Sequence, residues 1–251
     1  MSDNSLMPMV RKLETRVKLS PDDREAILRL PHSTRIYEAP AYVVREGATS
    51  IRHCSLISSG FAFRQKLTAD GARQIVSVHI PGDFLDLQHL FLNQADHNVQ
   101  ALTRLHTVEI ERHALQDIVL RYPTIGHAMW LDALIDASIY REWVLNVGQR
   151  SARQRIAHLL CEFAVRMEAA GFRDKDGYQL PMTQEQIGDA VGMTNVHVNR
   201  MLKSLVEEGI IRRDKRSVKI AEWDRLRAIG DFSALYLHLD QASGGHRRSD
   251  S

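Results

Sequence analysis

The sequence predicts an α+β chain: an N-terminal antiparallel β-roll of the jelly-roll type, one long helix, and a C-terminal winged helix–turn–helix. Three observations carry that prediction. Between about Ser33 and His113, short β-runs alternate with turn residues. Residues 123–147 hold an apolar pattern of helical period without a break. Residues 182–205, MTQEQIGDAVGMTNVHVNRMLKSL, read as two short helices around a tight turn.

Taken in order, residues 1–20 form a polar N-terminal arm, loose or briefly helical. Ser20-Pro21-Asp22-Asp23 then combines a cap, a proline at the first helical position and acids in the first turn. Ile27, Leu28 and Leu30 continue that helix to Pro31. The β-runs include residues 42–44, 54–57, 61–63, 74–80, 99–103 and 107–110. Glu46-Gly47, Ser59-Gly60, Asp70-Gly71 and Pro81-Gly82-Asp83 separate them, and Asp70-Gly71 is a hairpin signal. An antiparallel barrel or jelly roll closes such a set.

The long helix carries Leu131, Ile135, Ile139, Trp143 and Val147 at i, i+4 spacing, broadened by Ala128, Leu134, Ala137 and Val144. So wide an apolar surface has two partners to meet. One is the β-roll. The other is the same helix of a second copy, with the i, i+4 stripe as the expected dimer interface. Gly148 marks a hinge, and Ser151 caps a helix lined by Ile156, Leu159, Leu160, Phe163 and Met167.

In the helix–turn–helix, Thr183 and Gln186 make a capping box, Gly192 supplies the left-handed C-terminal residue, and Thr194 caps the second helix. Val198, Met201, Leu202 and Leu205 form its buried stripe. The outward set is polar and basic, as a helix in the DNA major groove requires: Asn pairs with adenine, Arg with guanine, and Val meets a thymine methyl. The expected DNA-binding residues are Thr183, Gln184, Thr194, Asn195, Val196, His197, Asn199, Arg200 and Lys203. Two β-runs around Asp214-Lys215-Arg216 add a wing, where Arg213, Lys215 and Arg216, with Arg212, neutralise backbone phosphates. Trp223, Leu226, Ile229, Phe232 and Leu235 suggest packing helices, and residues 241–251 a disordered tail.

The run VGMTNVHVNRMLKSLVEEGII, with the wing after it, resembles the Crp/Fnr family of bacterial transcription regulators. The resemblance covers the chain from about Ile36 to Phe232. It implies a β-roll sensor domain over 21–122, a dimerisation helix over 123–147, a DNA-binding domain over 148–222, and C-terminal helices and tail over 223–251. Arg200 matches a position where the family commonly uses Arg on a base. Asn195 and Val196 stand where better-known members carry other residues, so the operator does not carry over. Members that bind cyclic AMP use a Gly-Glu pair for the ribose and an Arg-Ser pair for the phosphate. Here Asp86-Leu87 and His97-Asn98 occupy those places, which removes the ribose acceptor and the guanidinium fork. Oxygen-sensing members hold an iron–sulfur cluster on several cysteines, and Cys54 and Cys161 cannot supply four ligands. No cofactor and no metal is therefore expected, although His79, Asp83, Asp86, His89 and His97 fall close together in sequence.

The formal net charge of +2 makes any nucleic-acid surface local rather than global. No apolar run reaches a membrane span, no signal peptide is evident, and two isolated cysteines fit a reducing cytoplasm. The expected partners are double-stranded DNA, a second copy of the chain and, for an activator, RNA polymerase. An enzyme built on the β-roll is not expected: there is no His-x-His in the roll, no Gly-x-Ser-x-Gly and no phosphate-binding loop. The alternative that stays open is a constitutive DNA-binding regulator whose sensor domain takes no ligand.

Overall fold

The computed structural model describes residues 5–49, 51–172 and 177–239; the expected tail at 241–251 lies outside them. Helix α1 (Met7–Glu14) opens the chain. It is not a loose arm. Leu6, Met9, Val10 and Leu13 fall on one helical face and are all buried against the β-roll and the long helix. Each such side chain contributes about 1.5–3 kcal/mol, which holds an eight-residue helix too short to persist alone. Helix α2 (Pro21–Leu28) follows, with the capping box of Ser20 and Asp23 formed.

Seven strands make the roll: β1 (His32–Tyr37), β2 (Tyr42–Val44), β3 (His53–Ser59), β4 (Ala62–Leu67), β5 (Arg73–His79), β6 (Asn98–Ala101) and β7 (Leu105–Glu111). One sheet has the order β1-β7-β3 and the other β2-β6-β4-β5, with the pairings antiparallel. Gly71, at φ +86°, sits in the β4–β5 turn, as the Asp-Gly signal requires. Helix α3 (Arg112–Arg121) leads into α4 (Pro123–Gln149), which is 27 residues long.

Helix α5 (Ala152–Ala169), strand β8 (Tyr178–Gln179), helices α6 (Gln184–Val191) and α7 (Asn195–Glu207), strands β9 (Ile211–Asp214) and β10 (Ser217–Ile220), and helix α8 (Trp223–Ile229) form the C-terminal part. A 3-10 turn, Ala234–Leu237, closes it. The core runs without a gap from roll to winged helix: Phe63, Ile75 and Val78 share a cluster with Ile135, Ile139 and Trp143, and with Ile156, Leu160 and Ile187.

Buried charges tie these parts together. Asp83, at the Pro-Gly-Asp turn, accepts from Lys12 Nζ at 2.6 Å, Arg166 Nη2 at 2.9 Å and Ile80 N at 3.0 Å. Burial alone would raise its pKa, but Lys12 and Arg166 hold the carboxyl well below the usual carboxylate range. Glu162 of α5 accepts from Trp143 Nε1 at 3.0 Å and Tyr236 Oη at 2.8 Å. One carboxylate therefore joins α1, the roll and α5, and the other joins α4, α5 and the closing turn.

Candidate nucleic-acid interface

Local chemistry shapes the reading element. Thr183 Oγ1 accepts from Gln186 N at 3.2 Å, and Gln186 Oε1 accepts from Thr183 N at 2.8 Å, which starts α6. Gly192 ends it at φ +66°, and a Cβ there would press on Val147. Thr194 Oγ1 accepts from His197 N at 3.4 Å and starts α7. Val198, Leu202 and Leu205 are buried and Met201 is half-buried. Asn195, Val196, Asn199, Arg200 and Lys203 are exposed, Val196 at 76% of its surface, and His197 is half-buried. A valine held that far out of a packed helix is paired with water unless a ligand covers it.

Thr183 is exposed and Gln184 half-buried at the start of α6, which is where the first helix of such a motif crosses the DNA backbone. β9 and β10 pair around Lys215 and Arg216, with Lys215 in the left-handed region at φ +49°. Lys215 and Arg216 are thus exposed at the wing tip, while Arg213 is half-buried and Arg212 is exposed on the opposite strand face. The two-residue strand period makes Arg212 the freer of the pair.

Residues without a local signal brace the motif. Arg153 makes a bidentate pair with Glu208 at 2.6 and 2.7 Å, tying the start of α5 to the end of α7. Arg155 Nη1 donates to Val191 O at 3.1 Å and its Nε to Arg150 O at 2.8 Å, joining the turn to the α4–α5 junction.

Comparison with known proteins agrees with this geometry. Residues 154–229 match the Crp-like helix-turn-helix domain and residues 34–122 the cyclic nucleotide-binding domain. The chain belongs to the Crp/Fnr family. It is 29% identical over 196 residues to the transcriptional activator protein FnrL of Cereibacter sphaeroides, covering 76% of this chain and 78% of FnrL. It is 27% identical over 181 residues to the nitrogen fixation regulation protein FixK of Rhizobium meliloti, covering 70% and 77%. FixK2 from Bradyrhizobium japonicum shares the fold, with a TM-score of 0.75 at 22% identity over 82% of this chain and 100% of that one. This Crp/Fnr protein is a DNA-binding transcription regulator, and the relatives named here are regulators rather than enzymes. Among the described residues no helix is long and apolar enough to cross a membrane.

The family's sensor position holds a cavity of about 570 Å³ between the β2-β6-β4-β5 sheet and α4. Leu87 and His97 line it. Asp86 turns inward instead, accepting from Ser55 N at 2.8 Å, and burial pushes its carboxyl up to about 7. The buried guanidinium of the cavity comes from Arg64 on β4, which donates to Leu85 O at 2.9 Å and leaves Nε unpartnered. A charged residue within the otherwise buried run Ala62 to Gln65 was the available sign of it.

The histidines do not converge on one point. His97 pairs with Asp96 and Gln88, at 2.5 and 3.2 Å, and stacks on His89. His79 and His89 are buried, with Nε2 of the first and both ring nitrogens of the second unpartnered. Among the described residues no group of three His, Cys, Asp or Glu is placed to hold a metal. Burial pushes His89 down to about 4, so it is neutral when folded and protonated when unfolded below about pH 6.5. Stability from this site is present above that pH and is lost on acidification. His89→Phe is expected to remove the penalty. Its advantage over the parent in unfolding free energy grows by about 1–2 kcal/mol between pH 7.5 and 5, read by denaturant melts; a constant gap contradicts it.

Two expectations on α4 change. Ile135, Ile139 and Trp143 are only 4%, 7% and 7% exposed, and Leu131 and Val147 are half-buried. That stripe faces α5 and the roll, because its i, i+4 drift winds it into the intramolecular core. The exposed apolar face is instead Trp130, Leu134, Val144 and Leu145. Gly148 is helical, inside the last turn of α4, and the chain leaves the helix at Arg150, where ψ is 146°, so the break expected at Gly148 comes two residues later.

Proposed function

We propose that this regulator is a homodimer that binds an inverted-repeat operator through α7 of each copy. Asn195, Val196, Asn199 and Arg200 meet base edges. Thr183, Gln184, Thr194, His197, Lys203, Arg212, Arg213, Lys215 and Arg216 position the protein on the backbone. The observation that carries the reading is the division of α7 into a buried apolar stripe and an exposed face of Asn, Val and Arg.

The dimer contact is the face of α4 with Trp130, Leu134 and Val144, Val144 being 74% exposed. Phe91 extends it, stacked on Trp130 at 6.4 Å. An apolar stripe along a 27-residue helix, with Arg141 between its ends, suits a second copy of the same helix. The cavity with its unpartnered Arg64 Nε favours a signal at the roll over a ligand-free domain. By analogy with FnrL, an activator, the DNA-bound dimer recruits RNA polymerase, and it works in the cytoplasm.

Sedimentation velocity tests the dimer. The parent is expected to run as a dimer. Val144→Glu places two buried charges in the contact, and is expected to give monomers that lose roughly 100-fold or more in operator affinity. A Val144→Glu protein that remains dimeric would refute this face.

A further inference from the structure

An α-helix leaves its last four carbonyls without helical partners. In α6 Gly188 O still accepts from Gly192 N, so these belong to Asp189, Ala190, Val191 and Gly192. Val191 O and Gly192 O accept from Arg155 Nη1, at 3.1 and 3.5 Å. The other two are capped from the sensor domain. Gln74 Nε2, on β5, donates to Asp189 O at 2.7 Å and Ala190 O at 3.3 Å. Beside it Arg73 Nε donates to Asp189 Oδ2 at 2.7 Å, with Nη2 at 2.5 Å from the same oxygen. Glu185 lies 3.8 Å from the same guanidinium.

We propose that Arg73 and Gln74 are positioning residues of the DNA reader: the sensor domain supplies the C-terminal cap of the first helix of the helix–turn–helix. That cap lies two residues before the turn that sets the angle of α7. The docking leaves the reading face open, because β5 packs on α6 while α7 packs on α5, α6 and β9. The clamp therefore supports reading rather than blocking it. It also gives the cavity a short route to the DNA: Val76, two residues beyond Gln74 on β5, lines the cavity. A ligand that shifts β5 moves the cap of α6 directly. The inference rests on α7 being the reading helix.

The test uses the full-length protein and a duplex selected by it. Gln74→Ala and Arg73→Glu are each expected to weaken binding roughly 3- to 10-fold. Asp189→Arg is expected to do the same, and the double variant Arg73→Glu with Asp189→Arg to regain most of the affinity. The slope of log affinity against log salt stays at the parent value, because no phosphate contact is lost. Unchanged or tighter binding in the single variants overturns the proposal. So does a slope reduced by about one, which would make Arg73 a direct phosphate contact. Melting curves accompany each variant, and Gln74→Ala keeps the test open should the charge reversal not fold. Arg200→Ala, run alongside, separates the two readings. If it binds like the parent, the reading helix is misassigned; if it weakens while the Arg73 and Gln74 variants do not, the clamp alone fails.

Discussion

Arg200→Ala is expected to lower affinity for the operator by roughly 5- to 150-fold per half-site, the 1–3 kcal/mol of a bidentate arginine–guanine contact. A symmetric dimer carries the loss twice. Arg200 is exposed one helical turn from Val196, on the side of α7 opposite Val198 and Leu202, so alanine there removes no packing. Fold and melting temperature should hold. The effect is also expected to be position-specific: in a binding selection the variant tolerates substitutions at one base pair of each half-site that the parent rejects. Lys203→Ala makes the contrast. A lost phosphate contact weakens binding to every sequence alike and lowers the salt slope by about one per site. Loss of affinity in Arg200→Ala with an unchanged base preference would count against base contact by this residue.

Asp83→Ala is expected to destabilise the protein by about 3–5 kcal/mol, because it strands buried partners of a buried ion pair. Lys12 and Arg166 both point at this carboxylate, at 2.6 and 2.9 Å, and Lys12 retains Asp132 at 3.5 Å while Arg166 retains Glu162 at 3.5 Å. The loss is a large share of the 5–15 kcal/mol typical of a folded chain. At about 2–4 °C per kcal/mol, the melting temperature should fall by roughly 10 °C. The sign with pH follows from the depressed folded pKa. The Asp83 contribution is complete above the ordinary carboxylate range and fades as pH falls below about 4. Parent and variant melting curves should therefore converge toward low pH. A variant that melts within about 2 °C of the parent at pH 7 would mean that Lys12 and Arg166 are served by Asp132 and Glu162 alone.

Local signals made the winged helix legible. Thr183 with Gln186, Gly192 and Thr194 act within a few residues of themselves, and each cap formed where the spacing placed it. The β-roll was legible for a related reason: turns such as Asp70-Gly71 need residues that tolerate positive φ, whatever the rest of the chain does.

The faces of α4 were not legible. Ile135 and Leu134 are equally apolar neighbours, yet the first is buried and the second 58% exposed. An apolar surface that wide does not state which side its own chain will cover. The stripe of α1 was masked by Pro8, Arg11 and Lys12, which make the segment read as polar although Met9, Val10 and Leu13 share a face. Arg73 with Asp189, and Lys12 with Asp83, are separated by 116 and 71 residues, and nothing near either member announces the other. Arg64 illustrates the same limit: its strand position is readable, but the cavity it serves is made only when α4 lies across the sheet.

In the proposed dimer two copies of α7 read DNA together. Selection of random duplexes on the purified full-length protein, followed by sequencing, tests it most directly. An enriched inverted repeat is expected, with half-sites centred about 10 base pairs apart, one helical turn. Arg200→Ala is expected to relax one position in each half. A lone half-site, or no enriched motif even after cell extract is added to supply a missing signal, would contradict it.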